Sequence, residues 1–170
     1  MRTLQDIRKS LVAGTLTSTD LVRECLERIA APEGEGARAF IRVHAESSIA
    51  QAALARPAHG LLAGIPISIK DLFDLRGEVT TAGSRLLATA PPATEDAPAM
   101  ARLRAAGAIF IGRTNMTEFA YGGHGINAHY GTPLNPWDRA NAHIPGGSTS
   151  GGVVSVTDGM AAATIGSDTG

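Results

Sequence analysis

Apolar residues recur at helical spacing in the first third of the chain. The runs at 4–12 and 21–29 each place their apolar side chains on one face, which predicts two amphipathic helices. Thr17 followed by Asp20 is typical of a capping box at the start of the second helix. An alanine-rich segment at 45–55 predicts a third helix.

Beyond residue 60 the pattern changes to short apolar runs rich in β-branched residues. Such runs, bounded by glycine and proline, predict buried strands. Helical patterns at 96–106 and 152–160 lie between them, and Gly107 is placed to end the first of these. Helices that alternate with buried strands predict an α/β fold. The predicted strands are 39–43, 65–69, 108–112 and 161–165.

The composition is that of an ordinary globular chain, with 170 residues, 44% hydrophobic, 18% charged and a net charge of −1. Because basic residues are not clustered, no nucleic-acid-binding surface is expected. The single cysteine, Cys25, excludes an internal disulfide. No apolar run is long enough to span a bilayer or to serve as a secretion signal. We therefore expect a soluble cytoplasmic protein that binds neither nucleic acid nor a membrane.

Residues 145–152 read Pro-Gly-Gly-Ser-Thr-Ser-Gly-Gly, so three hydroxyl side chains stand between two glycine pairs. Glycines allow unusual backbone conformations and close approach of other groups, and serine can both donate and accept a proton. This composition favours a catalytic or anion-binding loop. A second interpretation is a glycine-rich turn that caps the following helix, with Thr149 or Ser150 at the N-cap.

A lysine ends the predicted strand at 65–69. Side chains alternate along a strand, so Ser68 and Lys70 would share the face opposite the isoleucines. Burial against apolar walls would lower the pKa of Lys70 and make its amine a general base. Lysine can activate a serine directly or through a second serine, and Ser148 suits that bridging position. The alternative is a strand-end lysine that reaches water, with Asp71 as its partner.

Ordered blocks around this lysine and this serine resemble the amidase signature family, which includes the A subunit of the tRNA-dependent amidotransferases. The resemblance covers nearly the whole chain and is strongest from about residue 60 onward. So many blocks in the same order are highly specific. The matching blocks include 64–71 (GIPISIKD), 80–84 (TTAGS), 112–120 (GRTNMTEFA), 135–137 (NPW), 145–152 (PGGSTSGG) and 166–170 (GSDTG).

The resemblance implies an α/β domain with a mixed β-sheet covered by helices, of which this chain holds the N-terminal part. Residues 1–170 would form a single incomplete domain. Within it, 1–60 would be a mainly helical lead-in, and 61–170 the core with the lysine strand and the serine-rich loop. We expect the chain to be truncated, because it ends directly after a strand and a turn signal.

The family's chemistry is a Ser-cisSer-Lys triad. By resemblance, Lys70 is the base and Ser148 is the bridging serine, preceded by a cis peptide bond. The nucleophilic serine would fall two positions past Gly170 and is absent from this chain. Thr169 and Gly170 match part of the oxyanion hole that precedes the nucleophile.

Several residues are candidates for the walls of the substrate cleft, each with a simpler structural interpretation. A glycine pair can be a plain turn, and a methionine is more often part of a core. Three residues depart from the family pattern: Arg113, where lysine is common, Leu72, where asparagine is common, and Thr149, where serine is common. The cleft candidates are Met116, Tyr121, Gly122, Gly123 and Thr149.

The implied function is hydrolysis of a carboxamide C–N bond through an acyl-serine intermediate, with no metal or cofactor; these 170 residues alone would be inactive. One alternative is an amidotransferase protein, similar to the A subunit, that releases ammonia for a partner, and another is a non-catalytic fragment. A remote alternative is an aspartic protease, because 168–170 read Asp-Thr-Gly. Besides a small-molecule amide, the partners left open are a second copy of the chain and an amidotransferase partner subunit.

Overall fold

The computed structural model describes residues 2–169. These residues form six α-helices and four strands, which alternate from the third helix onward, with short 3₁₀ turns at Pro57–His59 and Glu118–Ala120. The elements are α1 (Leu4–Ala13), α2 (Ser18–Ala30), α3 (Gly36–Ala39), β1 (Phe40–Val43), α4 (Ala45–Leu54), β2 (Pro66–Lys70), α5 (Pro98–Ala105), β3 (Ile109–Thr114), α6 (Ser150–Thr157) and β4 (Ala163–Ile165).

The strands form one mixed sheet in the order β1-β3-β2-β4. Strands β2, β3 and β4 are parallel, and β1 is antiparallel to β3. The expected α/β fold with a mixed, helix-covered sheet is confirmed. The sheet brings the carboxyl ends of the three parallel strands to one edge, which is where α/β folds place their ligand sites.

Strand β3 contains one residue more than the facing part of β2. Ile67 pairs with Phe110, but Ser68 pairs with Gly112, so Ile111 has no partner in β2. Beyond this bulge the register is regular, and Lys70 pairs with Thr114.

Side-chain caps begin the first two helices. The Thr17 hydroxyl accepts a hydrogen bond from the Asp20 N–H at 3.0 Å, as the sequence predicted. Thr3 does the same for α1 through the N–H of Asp6, a cap that the sequence pattern did not indicate. Each cap satisfies a backbone donor that the helix itself leaves unpaired.

The core lies between the sheet and helices α1, α2 and α6. The apolar face predicted for α2 is buried, and the three isoleucines around β2 are between 0% and 3% exposed. No helix among residues 2–169 is long and apolar enough to cross a membrane. The core includes Ile7, Leu11, Leu21, Cys25, Ile29, Ile65, Ile67, Ile69, Met100, Phe110, Ile111 and Val154.

Two predicted helix starts were wrong. Helix α5 begins at Pro98, because Asp96 lies outside it and accepts hydrogen bonds from Arg76 and Arg104. Helix α6 begins at Ser150 rather than residue 152. A β-carbon at Gly151 would lie 2.1 Å from the carbonyl oxygen of Ala39. The glycines that suggested a loop therefore allow the first turn of α6 to pack directly on a neighbouring backbone.

Candidate active site

Lys70 is the last residue of β2, and its amine lies where the parallel strands end. Its Nζ is 2.6 Å from Ser148 Oγ and 2.8 Å from Ser167 Oγ, and it also donates to the Ser167 carbonyl oxygen at 3.3 Å. The residue is 0% exposed. The structure therefore brings together the lysine and the serine that the sequence singled out.

Burial lowers the pKa of Lys70, since an ammonium ion loses its hydration in the interior. The carboxylate of Asp168 acts in the opposite direction and raises it, but burial is the larger cause. At a given pH the amine is thus more often uncharged than that of an exposed lysine. An uncharged amine in contact with a hydroxyl can accept a proton from it.

The alternative interpretation of Lys70 as a strand-end residue in water beside Asp71 was wrong. Lys70 is fully buried, and the Asp71 carboxylate accepts a hydrogen bond of 2.5 Å from Arg113 Nε.

The serine-rich loop is held from both sides of Ser148. The Gly147–Ser148 peptide bond is cis. The Gly147 N–H donates to the Gly123 carbonyl oxygen at 2.7 Å, and the Ser148 carbonyl oxygen accepts from the Thr117 N–H at 3.0 Å. Thr117 Oγ1 in turn accepts from the Gly125 N–H at 3.2 Å. These bonds fix the backbone around Ser148 to the loop that follows β3.

Neither proposed N-cap forms the expected side-chain bond. Thr149 occupies the N-cap position of α6 without a capping side-chain hydrogen bond. The buried hydroxyl of Ser150 has no hydrogen-bond partner among the described residues. The glycines at the start of α6 instead pack closely on neighbouring backbone. The capping interpretation was therefore right only in placing this loop directly before a helix.

Ser167 is a contact of Lys70 that the sequence did not single out. It follows β4, which pairs with β2 so that Ile165 faces Ile69. Parallel neighbours end at the same edge, and this places Ser167 beside the amine. Ser167 belongs to the matching block at 166–170, but its contact with Lys70 could be inferred only from the order of strands in the sheet.

The cleft candidates differ in their exposure to solvent. Met116 is fully buried, so its side chain contributes no open surface. Tyr121 is 90% exposed, and the glycine pair beside it is exposed. Thr149 is half-buried. Tyr121 is one of the residues around a groove of about 630 Å³, which is lined by Thr117, Glu118, Phe119, Tyr121, His124, Ile126, Asn127 and Ala128.

The two oxyanion-hole candidates lie at the end of the chain. Thr169 is exposed and follows the segment that touches Lys70. Gly170 lies outside the described residues. No group of three or more His, Cys, Asp or Glu side chains within residues 2–169 is arranged to hold a metal ion.

Comparison with known proteins gives one consistent family. A family model described as Amidase matches residues 20–170. The chain is 44% identical over 173 aligned residues to the A subunit of glutamyl-tRNA(Gln) amidotransferase from Roseiflexus sp. (strain RS-1), covering 99% of this chain and 35% of that protein.

Comparison with solved structures is consistent with this family. The native peptide amidase from Stenotrophomonas maltophilia matches with a TM-score of 0.81 and 35% identity, over 94% of this chain and 34% of that one. A structure from a vestigial protein complex, described as revealing the evolutionary origins of an s-triazine catabolic enzyme, matches with a TM-score of 0.86 and 37% identity. That match covers 94% of this chain and 36% of the other.

The chain spans about a third of the length of these relatives. The Amidase match includes residues 168–170, so the aspartic protease interpretation of that triplet has no support. The family resemblance seen in the sequence is confirmed. The chain belongs to the amidase family.

Proposed function

We propose that these residues supply the base and the bridging serine of an enzyme that hydrolyses a carboxamide C–N bond through an acyl-serine intermediate. Lys70 is the base, and Ser148 is the bridge. The observation that carries this proposal is the 2.6 Å contact between Lys70 Nζ and Ser148 Oγ, made by an amine that is fully buried. The nucleophile is a serine that this sequence does not include.

The proton path follows from the two hydroxyls involved. The nucleophilic serine gives its proton to Ser148 Oγ as it attacks the amide carbon, and Ser148 passes its own proton to Lys70 Nζ. When the C–N bond breaks, the proton returns along the same path to the leaving nitrogen. Water then repeats the sequence on the acyl-serine and releases the acid. Each step leaves the hydroxyl of Ser148 intact.

Ser167 would hold the amine during these transfers. Its Oγ and carbonyl oxygen are both within hydrogen-bond distance of Nζ, so the ammonium formed after proton uptake has two acceptors there besides Ser148. The backbone N–H groups of Thr169 and Gly170 would form part of the oxyanion hole.

The substrate and partners depend on regions outside this chain. The names of the relatives favour two versions: a small-molecule or peptide amidase, and an amidotransferase A subunit whose ammonia passes to a partner. The amidotransferase version has the support of 44% identity to such a protein. A second copy of the chain as partner and a cytoplasmic setting remain part of the proposal. The 170 residues alone would be inactive, since they hold two of the three triad members.

The test uses the protein that carries these residues together with the segment that supplies the nucleophile. Ammonia release from a panel of amides, including glutamine and a C-terminal peptide amide, is measured for the parent, Lys70→Ala and Ser148→Ala. Each substitution should lower kcat by roughly two to four orders of magnitude. Lys9→Ala is the matched control, because Lys9 is the other lysine of the chain and lies exposed on α1. Retention of full activity by Lys70→Ala would remove the proposal.

A further inference from the structure

Arg113 forms a buried ion pair with Asp71, the residue that follows the candidate base. Its side chain is 1% exposed and lies in β3, opposite Ile69 of β2. Nε donates to Asp71 Oδ1 at 2.5 Å, and Nη2 donates to the Phe73 carbonyl oxygen at 2.9 Å and to Thr80 Oγ1 at 3.1 Å. The Arg113 guanidinium thus bonds Asp71, the residue after Lys70, and also Phe73 and Thr80, which lie near the two ends of the loop after β2.

Asp71 is shielded from water and depends on this network. Its side chain is 1% exposed. Besides Arg113, the carboxylate accepts hydrogen bonds from the Thr81 hydroxyl and, at 3.3 Å, from the Gly83 N–H. The Asp71 backbone is fixed as well, because its N–H donates to the Thr114 carbonyl oxygen and its own carbonyl oxygen accepts from Ala82. Asp71 therefore places a buried carboxylate on the residue that follows the candidate base in the chain.

Few charges face the amine of Lys70. Asp168 approaches it from the segment after β4. Asp71 is its neighbour in sequence, and Arg113 lies behind Asp71 on β3. Glu78 lies 3.5 Å from Nη1 of the same arginine. Helix α6, whose sequence is SGGVVSVT, and the serine-rich loop before it bring only uncharged groups.

Asp168 already acts on the Lys70 amine, and the pairing of Arg113 with Asp71 determines whether a second negative charge acts on it. With Arg113 present, the Asp71 charge is balanced at short range, and the pair exerts little field on the amine. Without Arg113, a buried carboxylate one residue away would attract the ammonium form of Lys70. An amine held as ammonium cannot accept the proton of Ser148.

We propose that Arg113 is a positioning residue for Lys70: it balances and anchors the Asp71 carboxylate, and so keeps Asp71 from acting as the counter-ion of the Lys70 ammonium. This inference rests on the proposed function of Lys70 as a base. It also explains a departure from the family pattern, because arginine here, like the commoner lysine, supplies a cation that can pair with Asp71.

The chain offers a direct measurement, because Lys9 and Lys70 are its only lysines. In a Lys9→Arg background, the 170-residue chain labelled with ¹³C-lysine has one lysine Cε resonance, whose chemical shift follows the protonation of Lys70. The titration midpoint is compared in this parent, in Arg113→Gln, in Arg113→Lys and in Asp71→Asn. Far-ultraviolet circular dichroism verifies that each variant is folded.

The expected shifts have opposite signs. Arg113→Gln should raise the midpoint by about one unit or more, since it leaves Asp71 unbalanced. Arg113→Lys, which keeps the charge, should stay within about 0.3 unit of the parent. Asp71→Asn should lower the midpoint, since it removes the negative charge of the residue next to Lys70 and leaves Glu78 as the carboxylate partner of Arg113. The double variant Arg113→Gln with Asp71→Asn should return close to the parent.

A purely structural role predicts another pattern. Loosening the loop would admit water to Lys70 in every variant and would raise all midpoints together. Midpoints that all rise, or that do not change, overturn the inference. If Arg113→Gln does not fold, Asp71→Asn alone decides it: a lower midpoint supports the inference, and an equal or higher one overturns it.

The outcomes for the base and for its positioning residue are separable. A parent midpoint near 10.4, about the ordinary value for lysine, would count against Lys70 as the base and hence against the proposed function. A lowered parent midpoint that none of the substitutions moves would leave the base in place and remove only the role of Arg113.

Discussion

The backbone N–H of Thr117 donates a 3.0 Å hydrogen bond to the carbonyl oxygen of Ser148. Thr117 also accepts, through Oγ1, the N–H of buried Gly125. One threonine thereby connects Ser148 to the loop that follows β3.

Replacing Thr117 with valine keeps the shape of the side chain but removes the acceptor for the Gly125 N–H. A buried donor without a partner costs about 1–3 kcal/mol, so the free energy of unfolding should fall by that amount. Urea denaturation followed by circular dichroism measures it. Thr157→Val is the control, since Thr157 is exposed on α6 and its substitution should change stability by less than about 0.5 kcal/mol. Equal effects of the two substitutions would contradict the role of the Thr117 hydroxyl.

The lowered pKa of Lys70 predicts a pH dependence of stability. Between the pKa of the folded state and about 10.4, the unfolded chain binds more protons than the folded one, so stability rises with pH in that window. Below the folded-state pKa both states hold the proton, and the cost of the buried ammonium is fully present. In Lys70→Met this part of the rise should be absent. Urea midpoints at a series of alkaline pH values test it, and identical slopes in parent and variant would count against a lowered pKa.

Gly151 should resist replacement despite its place in a helix. Alanine is favoured over glycine in a helix by about 1 kcal/mol. A β-carbon at this position, however, would lie 2.1 Å from the Ala39 carbonyl oxygen and 2.7 Å from the Asn115 nitrogen. Overpacking against rigid backbone outweighs the propensity, and Gly151→Ala should lose about 1 kcal/mol or more.

The matched glycine is Gly123, where a β-carbon would meet no atom within 4 Å. Gly123→Ala should leave the free energy of unfolding within about 0.5 kcal/mol of the parent. Thermal melts of the two variants, recorded side by side, distinguish a crowded glycine from an open one. A stabilised Gly151→Ala would show that α6 can move away from Ala39 at little cost.

Cys25 should report global unfolding. Burial, helped by the nearby Glu24 carboxylate, raises the pKa of the Cys25 thiol to about 12, and the side chain belongs to the core. A buried thiol that stays protonated reacts slowly with alkylating agents. Iodoacetamide at about pH 8 should label the folded protein at least about a hundredfold more slowly than the protein in concentrated urea. Fast labelling of the folded chain, read by mass spectrometry, would mean that α2 separates readily from the sheet.

The sequence predicted the parts of the site that depend on local patterns. Alternation along β2 placed Lys70 on the face opposite its isoleucines, and the glycine-flanked hydroxyls identified Ser148. Both inferences need only the residues within a few positions, because strand periodicity and glycine-rich loops are local signals.

The parts of the site that the sequence did not predict depend on contacts between distant segments. Ser167 reaches Lys70 because β4 lies next to β2, and a strand order is not encoded in either strand alone. The pairing of Arg113 with Asp71 joins residues 42 positions apart. The start of α6 was misplaced because glycine has a low helix propensity. Close packing against the Ala39 backbone nevertheless requires a glycine in the first turn of this helix.

Ile111 of β3, which has no partner in β2, determines how later segments meet. Because one extra residue separates the partners of Ile67 and Ser68, every pairing beyond it, including Lys70 with Thr114, is offset by one position. Deleting a single residue from this strand would shift its following side chains to the other side of the sheet and carry Arg113 away from Asp71. Any engineering of β3 must therefore preserve its length as well as its buried apolar residues.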